Sequence, residues 1–136
     1  MFMENATLHH VSRPTQNMGQ AIAFYENVLG FKRIFRPAFK VGGAWLQAGS
    51  VELHLIDLPQ GSFRNVSTVG SDDIHMAIRV TDFEATVNNL AKLGYVETLA
   101  DDDGKRIIIK RNSMAGYHQL YMMDFDRHLI EINAAS

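Results

Sequence analysis

Apolar positions recur with two different periods along this chain, and the alternation between them is laid out twice. After a weakly alternating stretch over 8–13, Met18, Ala21, Ile22, Tyr25, Val28 and Leu29 fall at three- and four-residue intervals, the spacing of one helix face. Asn17 or Thr15 is placed to cap the start, and Gly30 stands where a left-handed residue ends a helix. Phe31 to Arg36 reads as a strand closed by Pro37, and Ala44 to Ala48 and Val51 to Ile56 as two more, joined by a hairpin turn at Gly49-Ser50. Pro59 to Asp73 is rich in turn residues and reads as a linker. The order then restarts. Ile74 to Val80 predicts a strand, Thr81 with Glu84 a capping box, and Phe83, Val87, Leu90 and Leu93 a helix face ended by Gly94. Tyr95 to Leu99, Gln119 to Met123 and His128 to Ile132 read as strands, Asp101 to Gly104 as a loop. Ile107 to Lys110 reads as a short extra strand with no first-half counterpart, and Asn112 to Gly116 as a loop at the mouth of a site.

A titratable residue occupies matching places in the two halves. His10 precedes the first helix and His75 the second, and each half closes on a strand with another metal-capable group, His54 in Val51-Glu-Leu-His-Leu-Ile and Glu131 in Leu129-Ile-Glu-Ile. A duplicated unit supplying two such groups per copy brings four together at a pseudo-twofold axis. The expected fold is therefore α+β, a single domain over 1–136, with module 1 at about 7–58, a linker at about 59–73 and module 2 at about 74–134. The strands of each module are expected to curve into a half-open sheet, with the helix on the convex face and a cleft between the sheets.

Composition narrows the chemistry. With 46% hydrophobic and 21% charged residues in 136, the chain has ordinary globular composition and is long enough for one core. A net charge of −2 without blocks of like charge gives no footprint for nucleic acid. No apolar run approaches the ~20 residues of a membrane span, no leader pattern opens the chain, and a cytoplasmic protein is expected. Cysteine is absent, so thiolate chemistry is excluded and any metal is held by nitrogen and oxygen donors.

Strand parity sorts these donors. His10 shares a face with Ser12, and His75 with Ala77 and Arg79, while His9 points the other way, to solvent. Glu52 and His54 share a face, as do Glu131 and Asn133. Glu131 sits among apolar neighbours, where an unpartnered carboxylate is costly and a metal offsets the cost. Arg79 is placed either to meet a substrate carboxylate or phosphate or to form a surface ion pair.

Leu8-His-His-Val11, Phe24-Tyr25 with Val28-Leu-Gly-Phe31, Gly43-Ala-Trp-Leu leading into Val51-Glu-Leu-His-Leu, Ile74-His75, and Tyr121 through Ile132 together resemble the vicinal oxygen chelate superfamily, which includes glyoxalase I, fosfomycin-resistance proteins, extradiol dioxygenases, methylmalonyl-CoA epimerase and bleomycin-resistance proteins. The resemblance spans nearly the whole chain. It implies two pseudo-twofold-related βαβββ modules forming a curved half-barrel sheet around a cleft, a homodimer, and a divalent ion (Ni, Zn, Mn or Fe) on His10, His54, His75 and Glu131, with Glu52 as the fallback for the second ligand. Glu131 is then also the proton-shuttling catalytic residue, and Arg79, Tyr121 and Trp45 contact substrate. The implied activity is that of a metal-dependent lyase or isomerase chelating vicinal oxygens of a small metabolite. The alternatives are a ring-cleaving Fe(II) dioxygenase and a non-catalytic protein that sequesters a ligand or antibiotic. Two departures stand out. The last turn reads Asp124-Phe-Asp-Arg127 in place of the usual Asp-Pro-Asp-Gly, and Pro14 and Leu58 occupy the places of the glutathione-holding arginine and asparagine, which argues against a glutathione hemithioacetal substrate.

Overall fold

A computed structural model describes residues 3–136, which divide into two compact units, the first ending at Ser62 and the second spanning Phe63–Ser136. Each unit carries one four-stranded mixed sheet and one helix, so the class is α+β and the two-module pattern holds.

In unit 1 the elements are β1 (His10–Thr15), α1 (Met18–Asn27), β2 (Lys32–Ile34), β3 (Gly43–Ala48) and β4 (Val51–Asp57), with sheet order β1-β4-β3-β2. Asn17 caps α1 by accepting a bond from the Gln20 amide at 3.0 Å. The strand period then separates two faces. Ala44, Leu46, Leu53 and Leu55 are buried on the face that meets α1, whose Ala21, Phe24 and Tyr25 are buried in turn. Each large apolar side chain buried this way contributes ~1.5–3 kcal/mol. His10, Ser12, Trp45, Gln47, Glu52 and His54 are left on the other face. β1 ends the sheet and runs parallel to β4. The Glu52 amide donates to the His9 carbonyl and the Leu58 amide to the Thr15 carbonyl, so the odd-numbered residues of β1 point their backbone groups at β4. Pro14 is even-numbered and sets its missing N–H on the outer side, where a strand tolerates it.

Unit 2 repeats the order with β5 (His75–Arg79), α2 (Phe83–Lys92), β6 (Ile108–Lys110), β7 (His118–Met123) and β8 (Leu129–Ala134), arranged β5-β8-β7-β6. Met76 and Ile78, with the buried Ile130, Ile132, Leu120 and Met122, fall on one face by parity. His75, Ala77, Arg79, Glu131, Asn133, Gln119 and Tyr121 share the other.

Local expectations are corrected. Tyr95 to Leu99 is not a strand: Tyr95 is buried, its amide closes the end of α2 on the Leu90 carbonyl, and only an isolated bridge joins Val96 to Arg106. The Ile107 to Lys110 stretch supplies β6 instead, which holds the sheet position of β2 and so has a counterpart after all. Asp82, not Thr81, caps α2, accepting from the Ala85 amide at 3.0 Å, and Glu84 pairs with Arg111 rather than closing a box. The strand expected over Phe31 to Arg36 is shorter, β2 stopping at Ile34, and Phe35 is 83% exposed.

Of the stretch 59–73 read as linker, the part from Phe63 onward belongs to unit 2 and is fastened there by Arg64. Its guanidinium donates to the carbonyls of Thr68 at 2.8 Å and Arg127 at 3.0 Å and pairs with Asp73 at 3.4 Å.

Candidate metal centre

Unit 2 builds its donor pair on the parallel ladder of β5 and β8. Ala77 is opposite Glu131 and His75 opposite Leu129, so His75 and Glu131 meet diagonally on one face, with His75 Nε2 lying 3.3 Å from Glu131 Oε1. The other ring nitrogen, Nδ1, is 2.7 Å from the Asp73 carbonyl oxygen. A carbonyl only accepts, so Nδ1 carries the proton and a neutral His75 turns the lone pair of Nε2 towards the carboxylate. Two acceptors facing each other need a cation between them or a proton on the ring. The contact from the outer ring nitrogen to a backbone carbonyl is also the one that orients metal-binding histidines. Two ligands of a tetrahedral ion at 2.0–2.1 Å stand ~3.3 Å apart. The pair fits a metal.

Glu131 is buried and well held. Asn133 Nδ2 donates to its Oε2 at 2.6 Å and the Tyr121 hydroxyl to its Oε1 at 3.0 Å. Burial pushes the Glu131 pKa up, but bonds from Asn133, Tyr121 and Gln119 and the charge of His75 outweigh it, and the net shift is downwards. Tyr121 moves the opposite way, pushed up to about 12 by burial and by its bond to Glu131. It therefore keeps its proton at neutral pH and serves Glu131 as a fixed donor. Arg79 stands beside Asn133, its Nε donating to Asn133 Oδ1 at 2.5 Å, with its guanidinium 4.7 Å from the Tyr117 ring centroid.

In unit 1 the ladder of β1 and β4 keeps the same register, with a glutamate at the place of Leu129. His10 lies directly opposite Glu52, and Ser12 opposite His54. Counting from the histidine that opens each unit, His54 is the ladder counterpart of Glu131. Its ring, however, is sandwiched. Trp45 on β3 and His10 on β1 each lie with ring centroids 4.0 Å from it, at 6° and 9° from parallel. His54 Nε2 meets Glu52 Oε1 at 2.9 Å, and this bond, ahead of the charges of His9, His54 and His10, lowers the Glu52 pKa. His10 is exposed and shares a 2.8 Å contact between Nδ1 atoms with His9, which is also exposed but, against its parity, turns towards the same face and reaches Glu52 Oε2 at 3.8 Å. The structure thus brings His10, Glu52 and His54 together in unit 1, and His75, Glu131 and Tyr121 in unit 2.

A further donor group escaped the sequence reading. Asp124, Asp126 and His128, at the turn between β7 and β8, each present a ligand-type atom within 4.8 Å of the others. Their Asp-x-Asp-x-His spacing was the available signal. Asp124 Oδ1 accepts from the amides of Asp126 and His128, both at 2.9 Å, and His128 stacks on Phe63, so the group also builds the turn. Arg127 takes φ 65° there, the left-handed conformation that glycine adopts freely.

The family model for the glyoxalase/bleomycin resistance protein/dioxygenase superfamily matches residues 7–132. The chain belongs to this superfamily. A curated relative, "Glyoxylase I 4" from Arabidopsis thaliana, is 27% identical over 130 residues, covering 93% of this chain and 69% of that protein. Among solved structures, a glyoxalase family protein from Bacillus anthracis aligns over 100% of both chains with a TM-score of 0.76 at 21% identity. The fosfomycin resistance protein FosX from Listeria monocytogenes, solved with Mn(II) and sulfate, aligns over 98% of this chain and 95% of that one, with a TM-score of 0.66 at 16% identity. At these identities the structural likeness shows a shared fold. Among the described residues, no helix is long and apolar enough to cross a membrane.

Proposed function

We propose that the protein is a metal-dependent enzyme of the glyoxalase type, a lyase or isomerase acting on a small metabolite that presents two neighbouring oxygens. The observation that carries this reading is the orientation of His75, whose Nδ1 is committed to the Asp73 carbonyl and whose Nε2 faces Glu131 Oε1 at 3.3 Å. Within unit 2 the donors are His75 and Glu131, and within unit 1 the donors are His10 and Glu52. His54 holds Glu52 through the 2.9 Å bond, and takes its place only by leaving the stack between Trp45 and His10. The chemistry of these donors, imidazole and carboxylate without thiolate, suits Ni, Zn, Mn or Fe. Manganese in the Listeria relative agrees with that range.

A bound divalent ion supplies Lewis acidity to substrate oxygens, stabilising negative charge that develops on them by several kcal/mol. The chain's own residues do the rest. Glu131, negative at neutral pH, is the proton acceptor, and Tyr121 and Asn133 keep its two oxygens distinct. Tyr121, with its pKa near 12, orients rather than accepts. Trp45 keeps His54, and through it Glu52, in place.

The test is the metal content, by elemental analysis, of protein purified without chelator. Stoichiometric divalent metal in the wild type, absent from Glu131→Ala and His75→Ala variants that remain folded, is the expected result. Failure of the wild type to take up Ni, Mn, Zn or Fe overturns the enzyme reading and leaves ligand sequestration as the function.

A further inference from the structure

The face of unit 2 that bears His75 and Glu131 carries a cation, Arg79, that forms no ion pair among the described residues. Arg64 pairs with Asp73, Arg106 with Asp101 and Arg111 with Glu84, while Arg127 donates to the carbonyls of Ser67 and Asp102. Arg79 has neither an acid nor a backbone carbonyl as partner among the described residues. Its partners are a neutral amide, Asn133 Oδ1 at 2.5 Å through Nε, and the face of Tyr117 at 4.7 Å. Both contacts hold the guanidinium plane in place, and neither uses the paired Nη donors, the edge that meets carboxylate or phosphate two-pronged. The residue is exposed, so this edge is open to a ligand.

The setting links this edge to the metal-binding pair. Arg79 lies opposite Asn133 in the ladder, and Asn133 and Glu131 are two residues apart on one face of β8. Two residues of strand cover about 7 Å. The Asn133 amide stands between the cation and the carboxylate, with Oδ1 towards Arg79 and Nδ2 towards Glu131 at 2.6 Å. Its donor and acceptor satisfy both neighbours, so Arg79 is positioned beside Glu131 without being neutralised by it.

We infer that Arg79 is the anchor of an oxyanion subsite, and that the substrate is an elongated acid bearing a carboxylate or phosphate at the end remote from its chelating oxygens. This deepens the proposed function and, as a statement about substrate, rests on it. The subsite itself does not depend on a bound metal. Stacking on Tyr117 makes Arg79 a rigid donor, so an anion there binds without first ordering a flexible side chain.

The experiment is a residue-resolved NMR titration of the full chain, treated with chelator, with inorganic phosphate and separately with succinate. Amide shifts centred on Arg79, Tyr117 and Asn133 are expected. Arg79→Gln should weaken binding about tenfold or more, since a charge-assisted bidentate contact is lost, and Arg79→Lys should recover part of it. The tighter of the two probes identifies the substrate's charged group. Shifts centred elsewhere, or equal affinity in Arg79→Gln, overturn the proposal. Metal uptake by the wild type, measured in parallel, separates the two readings. Uptake without anion shifts removes the subsite alone, whereas anion shifts without uptake remove the metal-dependent function and leave the subsite standing.

Discussion

The imidazole of His54 lies flat on that of His10, with centroids 4.0 Å apart and planes 9° from parallel. An imidazole lone pair lies in the plane of its ring. Two parallel, stacked rings therefore cannot both aim a lone pair at one ion, and the carboxylate that His54 holds becomes the better second donor. Glu52→Ala is expected to abolish stoichiometric metal uptake. His54→Ala should retain metal, with affinity weakened about 10- to 100-fold, the usual effect of removing a group that orients a ligand. Competition titration against a chelator measures both. Metal lost in His54→Ala but kept in Glu52→Ala reverses the assignment.

Acid should destabilise the metal-free protein partly through Glu131. Its pKa in the fold is lowered below the ordinary 4.5, because hydrogen bonds and His75 outweigh burial. A depressed carboxylate contributes stability that is present above its unfolded pKa and lost as pH falls through the folded one. Thermal melts in chelator from pH 7 down to 3 are expected to show wild-type stability declining below about pH 4.5, with a shallower decline in Glu131→Gln. Identical slopes would remove Glu131 from the acid response.

Arg64 ties the segment ahead of β5 to the turn before β8. Replacing it with leucine leaves the carbonyls of Thr68 and Arg127 without this donor and Asp73 without its ion pair. A loss of about 2–4 kcal/mol in urea unfolding is expected. Metal affinity should fall as well, because the Asp73 carbonyl that orients His75 belongs to the same segment. Arg64→Lys keeps the charge but not the fork, and should recover less than half of the lost stability.

The start of α2 offers a sharp comparison between neighbours. Asp82→Ala should destabilise the fold by about 1 kcal/mol, since Asp82 caps the Ala85 amide. Thr81→Ala should change it by less than about 0.5 kcal/mol, as surface substitutions do. Equal effects in chemical denaturation would restore Thr81 as the cap.

Residues whose signals were both local and periodic were legible from sequence. The histidine that opens each sheet, the helix that follows and the closing strand share one order, and the sheet order β1-β4-β3-β2 recurs as β5-β8-β7-β6. The β-branched run at Ile107 was read as an insertion because Tyr95 to Leu99 matched β2 in sequence order. Tyr95 is instead spent on sealing α2, and the strand slides to Ile108. At the cap, Thr81 and Asp82 are both competent, and the choice depends on backbone angles that no spacing reveals. In the site, parity grouped the right side chains on each face. It is silent on ring planes, so neither the sandwich around His54 nor the tautomer imposed on His75 by Asp73 was visible in advance.

Pro14 has a bearing on how the molecule behaves when crowded. Bare outer strands are templates on which foreign chains extend a sheet, and proteins guard them against aggregation. On β1 the outward-facing positions include a residue with no hydrogen to offer, so a strand arriving at that edge meets a missing rung. Within the unit 1 sheet, Pro14 thus lowers the number of backbone bonds that any further strand can form along β1.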